Sequence, residues 1–176
     1  MKLHLGCGNR DFGPEWVNID KDAVHPHVVY NNVTKLLQPD DSCSLVYASH
    51  LLEYFDREEA IDVLKEWRRV LEPEGVLRLA VPDFEIMSRL YSKGHSLNTF
   101  LGPMYGKMGS YPIYHKTVYD FMILKSILYA IGFKNVRRYD WKETEHAHFD
   151  DHSQAYIPHM DKEDGILISL NVEAVK

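Results

Sequence analysis

Short apolar runs alternate with helical patterns along most of this 176-residue chain. The runs are brief, as buried parallel strands tend to be, and the helical patterns repeat an apolar residue every three or four positions. This alternation is typical of an α/β domain, in which helices cover a mostly parallel sheet. The chain has the length of one such domain, so we expect a single folding unit over residues 1–176.

The predicted strands are Lys2–Leu5, residues 17–19, Val28–Tyr30, and residues 44–48, 76–81, 136–139 and 166–175. One predicted helix starts near Asp56, where Glu59 three residues later suggests a capping box, and ends before Pro73. Two more cover residues 84–91 and 117–131, and Gly132 favours the end of the last one. Residues 95–112 carry no decisive pattern. Residues 142–165 form a long polar stretch of the kind that is usually functional or mobile.

The charge and the cysteines exclude several classes of protein. The net charge is −6 and the pI about 5.9, so the average field repels nucleic acid and anionic lipid, and we expect neither as a partner. Cys7 and Cys43 lack the spacing of a zinc or disulfide framework. No run is apolar enough to span a bilayer and no signal peptide is recognisable, which predicts a cytoplasmic protein.

The strongest local signal lies at residues 3–10, LHLGCGNR, at the end of the first predicted strand. Glycines there let the backbone approach a ligand in the crevice where open α/β sheets bind. Asp20 ends the second predicted strand, where a carboxylate can accept hydrogen bonds from the two ribose hydroxyls of a nucleoside. The alternative is an ordinary turn beside a solvated strand end.

Five ordered segments resemble the class I S-adenosylmethionine (SAM)-dependent methyltransferases, in particular their small type 11-like branch. They are LGCGN at residues 5–9, VNID at 17–20, residues 32–42, YASHLLE at 47–53 and RRVLEPEG at 68–75. The resemblance implies a Rossmann-like, doubly wound, mostly parallel sheet with an antiparallel last strand. It also implies SAM as the cofactor and no metal, with the cofactor held by Gly6, Cys7, Gly8, Asn9, Arg10, Asp20, Asn32, Val33, Ser49 and His50.

The sequence departs from this family pattern at the connection between the first two strands. Residues 6–15 are fewer than the roughly dozen that a parallel crossover needs, so we expect the first crossover helix to be shortened or absent. A ten-residue extended stretch still reaches across neighbouring strands. The chain also starts at the first strand, whereas relatives use a leading helix as a lid. We therefore expect an open site, or one completed by a partner chain in a homo-oligomer.

Two histidines are the candidate catalytic residues. The resemblance places His50 beside the methionine end of the cofactor, where it would act as a general base or only shape the pocket. His115 precedes the last long helix and either faces the acceptor or belongs to an exposed helix start. Glu53 could orient an acceptor or serve as a polar contact near a helix start. The loop with His146, His148 and His152 is interpreted as solvated or substrate-contacting rather than metal-binding.

The predicted function is therefore methyl transfer from SAM to a small-molecule or glycan-type acceptor. A non-catalytic SAM-binding scaffold of the same fold is the alternative. A nicotinamide dehydrogenase is disfavoured because the later glycine of the dinucleotide motif is missing.

Overall fold

The computed structural model describes residues 1–22, 25–109 and 113–176. The strands are β1 Lys2–Leu5, β2 Trp16–Asp20, β3 Val28–Tyr30, β4 Cys43–Ser49, β5 Leu71–Pro82, β6 Gly106–Lys107, β7 Ile113–Tyr114, β8 Lys134–Arg138, β9 Tyr156–Ile157, β10 Ile166–Leu167 and β11 Ser169–Val175. The helices are α1 Glu59–Val70, α2 Phe84–Ser92, α3 Asn98–Tyr105 and α4 Phe121–Ile131. Within the described ranges, none of the helices has both the length and the apolar character needed to cross a membrane.

Seven strands form one sheet in the order β3-β2-β1-β4-β5-β11-β8. The pairs from β3 to β5 are parallel, whereas β11 runs antiparallel to both β5 and β8. This arrangement confirms the predicted α/β fold, its mostly parallel sheet and its antiparallel last strand. The strand order reverses next to β1, so the carboxyl ends of β1, β2 and β4 meet at the edge where such sheets bind ligands.

One face of the sheet packs against α1 and α4 and forms the main hydrophobic core. Alternate strand residues such as Leu3 and Leu5 point to this face. The helices contribute Trp67 and Leu128, among others, and both are fully buried. The indole N–H of Trp67 donates to the carbonyl of Val33 at 2.9 Å. The main core therefore also fixes the loop that follows β3.

The opposite face lacks a helix between β1 and β2, which confirms the predicted loss of the first crossover helix. Phe12 from this connection is buried and stacks on the ring of His4, with ring centroids 3.9 Å apart. Residues 139–155, hereafter the covering segment, lie on the same face. Their Phe149 stacks on Phe12, and Asp151 accepts a hydrogen bond from the hydroxyl of Tyr47 at 2.6 Å. An aromatic cluster replaces the missing helix.

Most predicted elements shift by a few residues in the structure, and three of the differences have a clear form. Helix α4 starts at Phe121 rather than at residue 117, because the Asp120 side chain caps it by accepting from the backbone N–H of Ile123 at 2.8 Å. The strand predicted over residues 166–175 is split at Ile168, whose N–H donates to Ala155 instead of continuing a ladder. Strand β5 starts at Leu71, directly after α1, before the predicted residue 76.

The stretches without a decisive pattern also contain regular structure. Helix α3 and strand β6 occupy part of residues 95–112, and residues 110–112 lie outside the described ranges. The polar stretch over residues 142–165 contains regular structure, namely a short helical turn at His152–Gln154 and strand β9.

Two buried histidines in the aromatic cluster make the fold sensitive to acid. Burial lowers the pKa of His4 and of His146 to about 4, although the nearby Asp151 carboxylate acts in the opposite direction. An unfolded histidine has a pKa of about 6.5. Each ring therefore contributes stability that is complete above pH 6.5 and is lost as the pH falls toward 4.

We expect His146→Phe to flatten this dependence, because Nε2 of His146 has no hydrogen-bond partner among the described residues and the ring is otherwise packed as an aromatic. Between pH 7.5 and 5 the wild type should lose about 2 kcal/mol more unfolding free energy than the variant. Urea denaturation at the two pH values measures this difference. His148→Phe is the matched control because His148 is exposed in the same segment. Parallel pH curves for wild type and His146→Phe would contradict the prediction.

Candidate functional site

The loop after β1 turns sharply at two glycines. Gly6 has φ +65° and Gly8 has φ +59°, in the left-handed region that favours glycine. The N–H groups of Gly6 and Cys7 donate to the carbonyl of Ile19, at 2.8 and 3.2 Å, which ties the loop to β2. A Cβ on Gly6 would lie 2.9 Å from the Leu51 side chain, whereas one on Gly8 would meet nothing within 4 Å. Gly8 therefore borders open space.

Asp20 lies directly beside this loop. Its Oδ2 accepts from the backbone N–H of Gly8 at 2.9 Å, and its Oδ1 accepts from the N–H of Asp22 at 3.0 Å. Each carboxylate oxygen has two acceptor positions, so both keep capacity for another donor. The half-buried carboxylate and the open space at Gly8 form one cradle at the carboxyl ends of β1 and β2.

The other residues of the glycine loop differ in their roles. Asn9 is exposed, and its carbonyl lies 3.1 Å from Nε2 of His27. Arg10 donates from Nε to the carbonyl of Asp150 at 2.8 Å and thereby joins the loop to the covering segment. Cys7 is fully buried, and its burial raises the pKa of the thiol to about 12. The thiol is therefore protonated and serves as packing rather than as a nucleophile.

The loop after β3 presents two neighbouring asparagines. Oδ1 of Asn32 accepts from the N–H and the hydroxyl of Thr34, at 2.9 and 2.8 Å, while the residue is exposed. The carbonyl of Val33 accepts a hydrogen bond from the indole N–H of Trp67. Asn31 is buried, its N–H donates to the carbonyl of Asp20, and its Nδ2 has no partner among the described residues. The sequence gives no signal for Asn31 because an amide at a strand end is usually solvated.

His50 follows β4 with a left-handed backbone, φ +49°, and its N–H donates to the carbonyl of Ala80 at 2.8 Å. Its ring is 12% exposed, with Nε2 3.4 Å from the hydroxyl of Ser169 and Nδ1 3.3 Å from Oε1 of Glu53. The preceding Ser49 donates from its hydroxyl to Oδ1 of Asp151 at 3.4 Å. The His50 ring thus lies between the hydroxyl of Ser169 and the buried carboxyl group of Glu53.

Glu53 is completely buried in a short helical turn, Leu52–Tyr54, and neither of its carboxyl oxygens has a hydrogen-bond partner among the described residues. The nearest basic nitrogens are Nδ1 of His50 and Nε2 of His115, the latter 4.0 Å from Oε1. Burial raises the pKa of Glu53 to about 8, although the residue's own backbone N–H acts in the opposite direction. The group is therefore a neutral acid at pH 7 and a carboxylate above pH 8.

His115 is brought to this cluster by the chain before α4. The backbone N–H groups of Lys116 and Thr117 donate to the carbonyl of Glu53, at 2.8 and 3.3 Å. Nδ1 of His115 lies 2.9 Å from the carbonyl of Pro103 and must carry the proton, because a carbonyl only accepts. Burial lowers the pKa of both His50 and His115, so both rings are neutral at pH 7.

Hydrogen bonds also fix the resting tautomer of His50. The Ser169 hydroxyl donates to Oδ1 of Asn171 at 2.9 Å, and the Asn171 amide is itself oriented by donating to the carbonyl of Ser153. The Ser169 oxygen is therefore left to accept from Nε2 of His50. The unprotonated Nδ1 then faces Glu53, which is consistent with a protonated carboxyl group at neutral pH.

The histidines of the covering segment do not act together. His146 is buried in the aromatic cluster and His148 is exposed, while the ring of His152 lies 5.1 Å from that of His50 between centroids. In the described parts of the chain, no set of three or more His, Cys, Asp or Glu side chains is arranged to hold a metal ion. Only His152 adjoins the candidate site.

A separate pocket lies beside β8 and should not be confused with this site. It has a volume of about 220 Å³ and is lined by Arg78, Arg137, Arg138 and Glu173, among others. Its three arginines are paired with carboxylates of Glu173, Glu145, Asp83 and Glu85. The pocket is thus an internally neutralised ion-pair network, whereas the cradle at Gly8 keeps unused hydrogen-bonding capacity.

Comparisons with known proteins agree with the fold. The family model for a methyltransferase domain matches residues 3–79. No curated protein matches the sequence. A SAM-dependent methyltransferase from Archaeoglobus fulgidus superposes with a TM-score of 0.61 at 17% identity, over 99% of this chain and 85% of its own. One from Methanosarcina mazei gives 0.62 at 18%, over 99% and 91%.

A third similar structure carries ligands. The Burkholderia thailandensis 1,6-didemethyltoxoflavin-N1-methyltransferase, with bound 1,6-didemethyltoxoflavin and S-adenosylhomocysteine, has a TM-score of 0.58 at 14% identity. The alignment covers 99% of this chain and 70% of that one. At such identities the likeness establishes the fold, and the family model adds the sequence evidence. Together they show that the chain has the fold of the SAM-dependent methyltransferases and that its residues 3–79 match a methyltransferase domain.

Proposed function

We propose that this chain binds SAM in the cradle of residues 6–10 and Asp20 and transfers its methyl group to a small-molecule or glycan-type acceptor near His50 and His115. One observation carries the proposal most strongly. The N–H of Gly8 donates to the Asp20 carboxylate at 2.9 Å. Beside it lies open space, because a Cβ added to Gly8 would have no protein atom within 4 Å. A nucleoside could lie against this backbone with its ribose hydroxyls on Asp20.

The surrounding groups fit an adenosine and a methionine moiety. Asn31 and Asn32 follow β3, and the buried Nδ2 of Asn31 is a donor in need of an acceptor such as a ring nitrogen. Val33 would supply apolar contact. On the other side, Ser49, His50 and the backbone of Asn9 and Arg10 would border the methionine end. These assignments rest on position in the fold and on unused hydrogen-bonding groups.

The cofactor, when bound, supplies an electrophilic methyl carbon, and most of the acceleration can come from placing the acceptor atom in line with it. The chain itself must exclude water and manage the proton of an oxygen or nitrogen acceptor. His50 and His115 are neutral and mostly buried, with side chains 12% and 9% exposed. Each ring therefore has one unprotonated nitrogen that could accept a proton, and on His50 this nitrogen is Nδ1, which faces Glu53.

Glu53 would control which nitrogen of His50 is basic. As a neutral acid it faces an unprotonated Nδ1, so Nε2 carries the proton and cannot accept another. As a carboxylate it would hold a proton on Nδ1 and leave Nε2 free as the base, in the manner of a carboxylate–imidazole pair. Glu53 thus acts as a positioning residue for His50, and ionisation near pH 8 would switch the pair on.

The acceptor class is supported by the buried polar cluster of His50, Glu53 and His115 and by one structural neighbour. The ligand-bearing structure from Burkholderia thailandensis acts on a small heterocycle. The acceptor side of this chain is bounded by the buried His50, Glu53 and His115 cluster, which suits a compact polar group that can donate a hydrogen bond. A hydroxyl or an amine meets that requirement.

Calorimetric titration with SAM tests the cofactor step. We expect saturable binding and a rise in melting temperature, since a ligand that binds only the folded state stabilises it. NAD is the matched control, because a dinucleotide site would bind it and this cradle should not. Absence of heat and of a thermal shift with SAM would refute the proposal. Release of S-adenosylhomocysteine from a pool of hydroxyl and amine acceptors would then separate an enzyme from a scaffold.

A further inference from the structure

One segment of this acidic chain carries a net positive charge. Residues 86–119 contain no Asp or Glu, although the chain has 26 acidic residues and a net charge of −6. The same segment carries Arg89, Lys93, Lys107 and Lys116. The average charge, which argues against an anionic partner, therefore does not describe this part of the surface.

The segment also exposes large apolar side chains. Leu97, Leu101 and Tyr105 recur every four residues at and within α3, so they share one face of that helix. All three are exposed, while Phe100, on a neighbouring face of the helix, is buried against α2. Both faces of α3 are therefore apolar, and only the inner one is covered. The remaining exposed apolar residues of the segment are Tyr91, Met108, Ile113, Tyr114 and Val118.

Two lysines accompany this apolar surface without being neutralised. Lys93 follows α2 and Lys107 lies in β6, and both are exposed. Neither forms an ion pair with any described residue, whereas Arg89 and Lys116 are paired with Glu85 and Glu59. The residues outside the described ranges include no acid that could pair with them. The surface thus combines unpaired cations with aliphatic and tyrosine side chains.

We propose that this surface, formed by residues 91–109 and 113–118 with α3 at its centre, docks onto an anionic membrane. Apolar side chains beside lysines, with tyrosines at the level of the headgroups, are the composition of a surface that lies in a bilayer interface. Each lysine near an anionic leaflet adds attraction that salt weakens. A nucleic acid is a poorer partner, because its charged phosphates and polar base edges would not bury the aliphatic side chains of Leu97, Leu101 and Met108.

A second copy of the chain fits this surface less well. In a symmetric dimer each patch meets the same patch of the other copy, so the unpaired Lys93 and Lys107 would face a surface of the same positive sign. Such like-charge contacts oppose association, whereas lipid phosphates neutralise them. Charge complementarity therefore selects an anionic bilayer as the occupant.

Docking would place the candidate site next to the membrane. The segment contains His115 and Lys116 near its end, and the N–H of Lys116 donates to the carbonyl of Glu53. If the proposed methyl transfer is correct, the acceptor would then be a polar group carried by a membrane-bound molecule. This consequence rests on the proposed function, but the docking itself does not.

Vesicle co-sedimentation tests the docking. We expect the chain to bind vesicles of equal parts phosphatidylcholine and phosphatidylglycerol, to bind phosphatidylcholine alone far more weakly, and to be released by about 0.5 M salt. The pairs Leu101→Ser with Met108→Ser, and Lys93→Glu with Lys107→Glu, should each lower the partition coefficient about tenfold or more. Leu37→Ser and Lys35→Glu are the matched controls, since both residues are exposed outside the surface.

Three outcomes would overturn the proposal. They are equal binding to neutral and anionic vesicles, no binding to either, and unchanged binding by both paired variants. A dimer in light scattering that the Leu101→Ser and Met108→Ser pair dissociates would instead assign the surface to self-association. Circular dichroism verifies that each variant is folded. The vesicle assay needs no cofactor, so its failure would leave SAM binding untouched, and a failure to bind SAM would leave docking untouched.

Discussion

Replacing Glu53 with Gln is expected to lower turnover about 100-fold or more and to remove a titration near pH 8. Glu53 is fully buried 3.3 Å from Nδ1 of His50, and its pKa is raised to about 8. Deprotonation of Glu53 moves the proton of His50 to Nδ1 and frees Nε2 as a base. Turnover should therefore rise with pH, become half-maximal near pH 8 and level off above it. Glutamine cannot ionise, so the variant should show no such step.

Two measurements separate this role from a structural one. Carbon-13 NMR of labelled glutamate side chains should show one carboxyl titrating near pH 8 that is absent in Glu53→Gln. S-adenosylhomocysteine release, with an acceptor found in a labelled-methyl screen, gives the pH profile. Glu58→Gln is the control because Glu58 is exposed five residues further along. If Glu53→Gln kept the pH 8 step, or if no glutamate titrated there, Glu53 would not govern His50.

The sequence predicts the cradle because its parts are local. A strand followed by Gly6 and Gly8, and a second strand ending in Asp20, are each short-range patterns. Neighbouring parallel strands then bring their carboxyl ends together without further information. The observed contact between Gly8 and Asp20 follows from that rule. The strand order and the antiparallel β11 could be predicted only through the family resemblance, because the spacing of apolar residues does not show which strands pair.

The covering of the sheet could not be predicted in the same way. Tyr47 bonds Asp151 across 104 positions, and Phe12 stacks on Phe149. A polar stretch with scattered aromatics has no helical or strand period, so it gives no sign that it replaces a helix. The missing first helix could be predicted from the short connection between the first two strands. Its replacement could not, because it depends on shape complementarity between distant segments.

The chemistry of Glu53 was equally hidden from the sequence. A carboxylate after a strand is usually a solvated group or a helix-start charge, and both interpretations assume exposure. The structure buries it because the chain around His115 closes over the turn that carries it, through the hydrogen bond from Lys116. Burial, and not residue type, sets the raised pKa. His50 and His115 could be chosen from sequence, but their common partner could not.

Asp20→Ala should weaken SAM binding about 10- to 150-fold, which corresponds to roughly 1.5–3 kcal/mol for hydrogen bonds to a charged group. Two effects combine in this loss. The ribose hydroxyls lose their acceptor, and the N–H of Gly8 loses the carboxylate that now holds the loop at 2.9 Å. Because the loop keeps its bonds from Gly6 and Cys7 to Ile19, the fold itself should persist.

Asp22→Ala provides the matched control for this measurement. Asp22 is exposed two residues beyond Asp20, and only its backbone N–H contacts the site, through Oδ1 of Asp20. Alanine keeps that N–H, so the affinity for SAM should change less than twofold, about the scale of a surface substitution. Calorimetric titration of the three proteins gives the dissociation constants, and thermal unfolding without ligand verifies that Asp20→Ala is folded. Equal affinities for wild type and Asp20→Ala, or equal losses in both variants, would mean that the ribose lies elsewhere. A loss confined to Asp20→Ala would assign the carboxylate at the end of β2 to the cofactor.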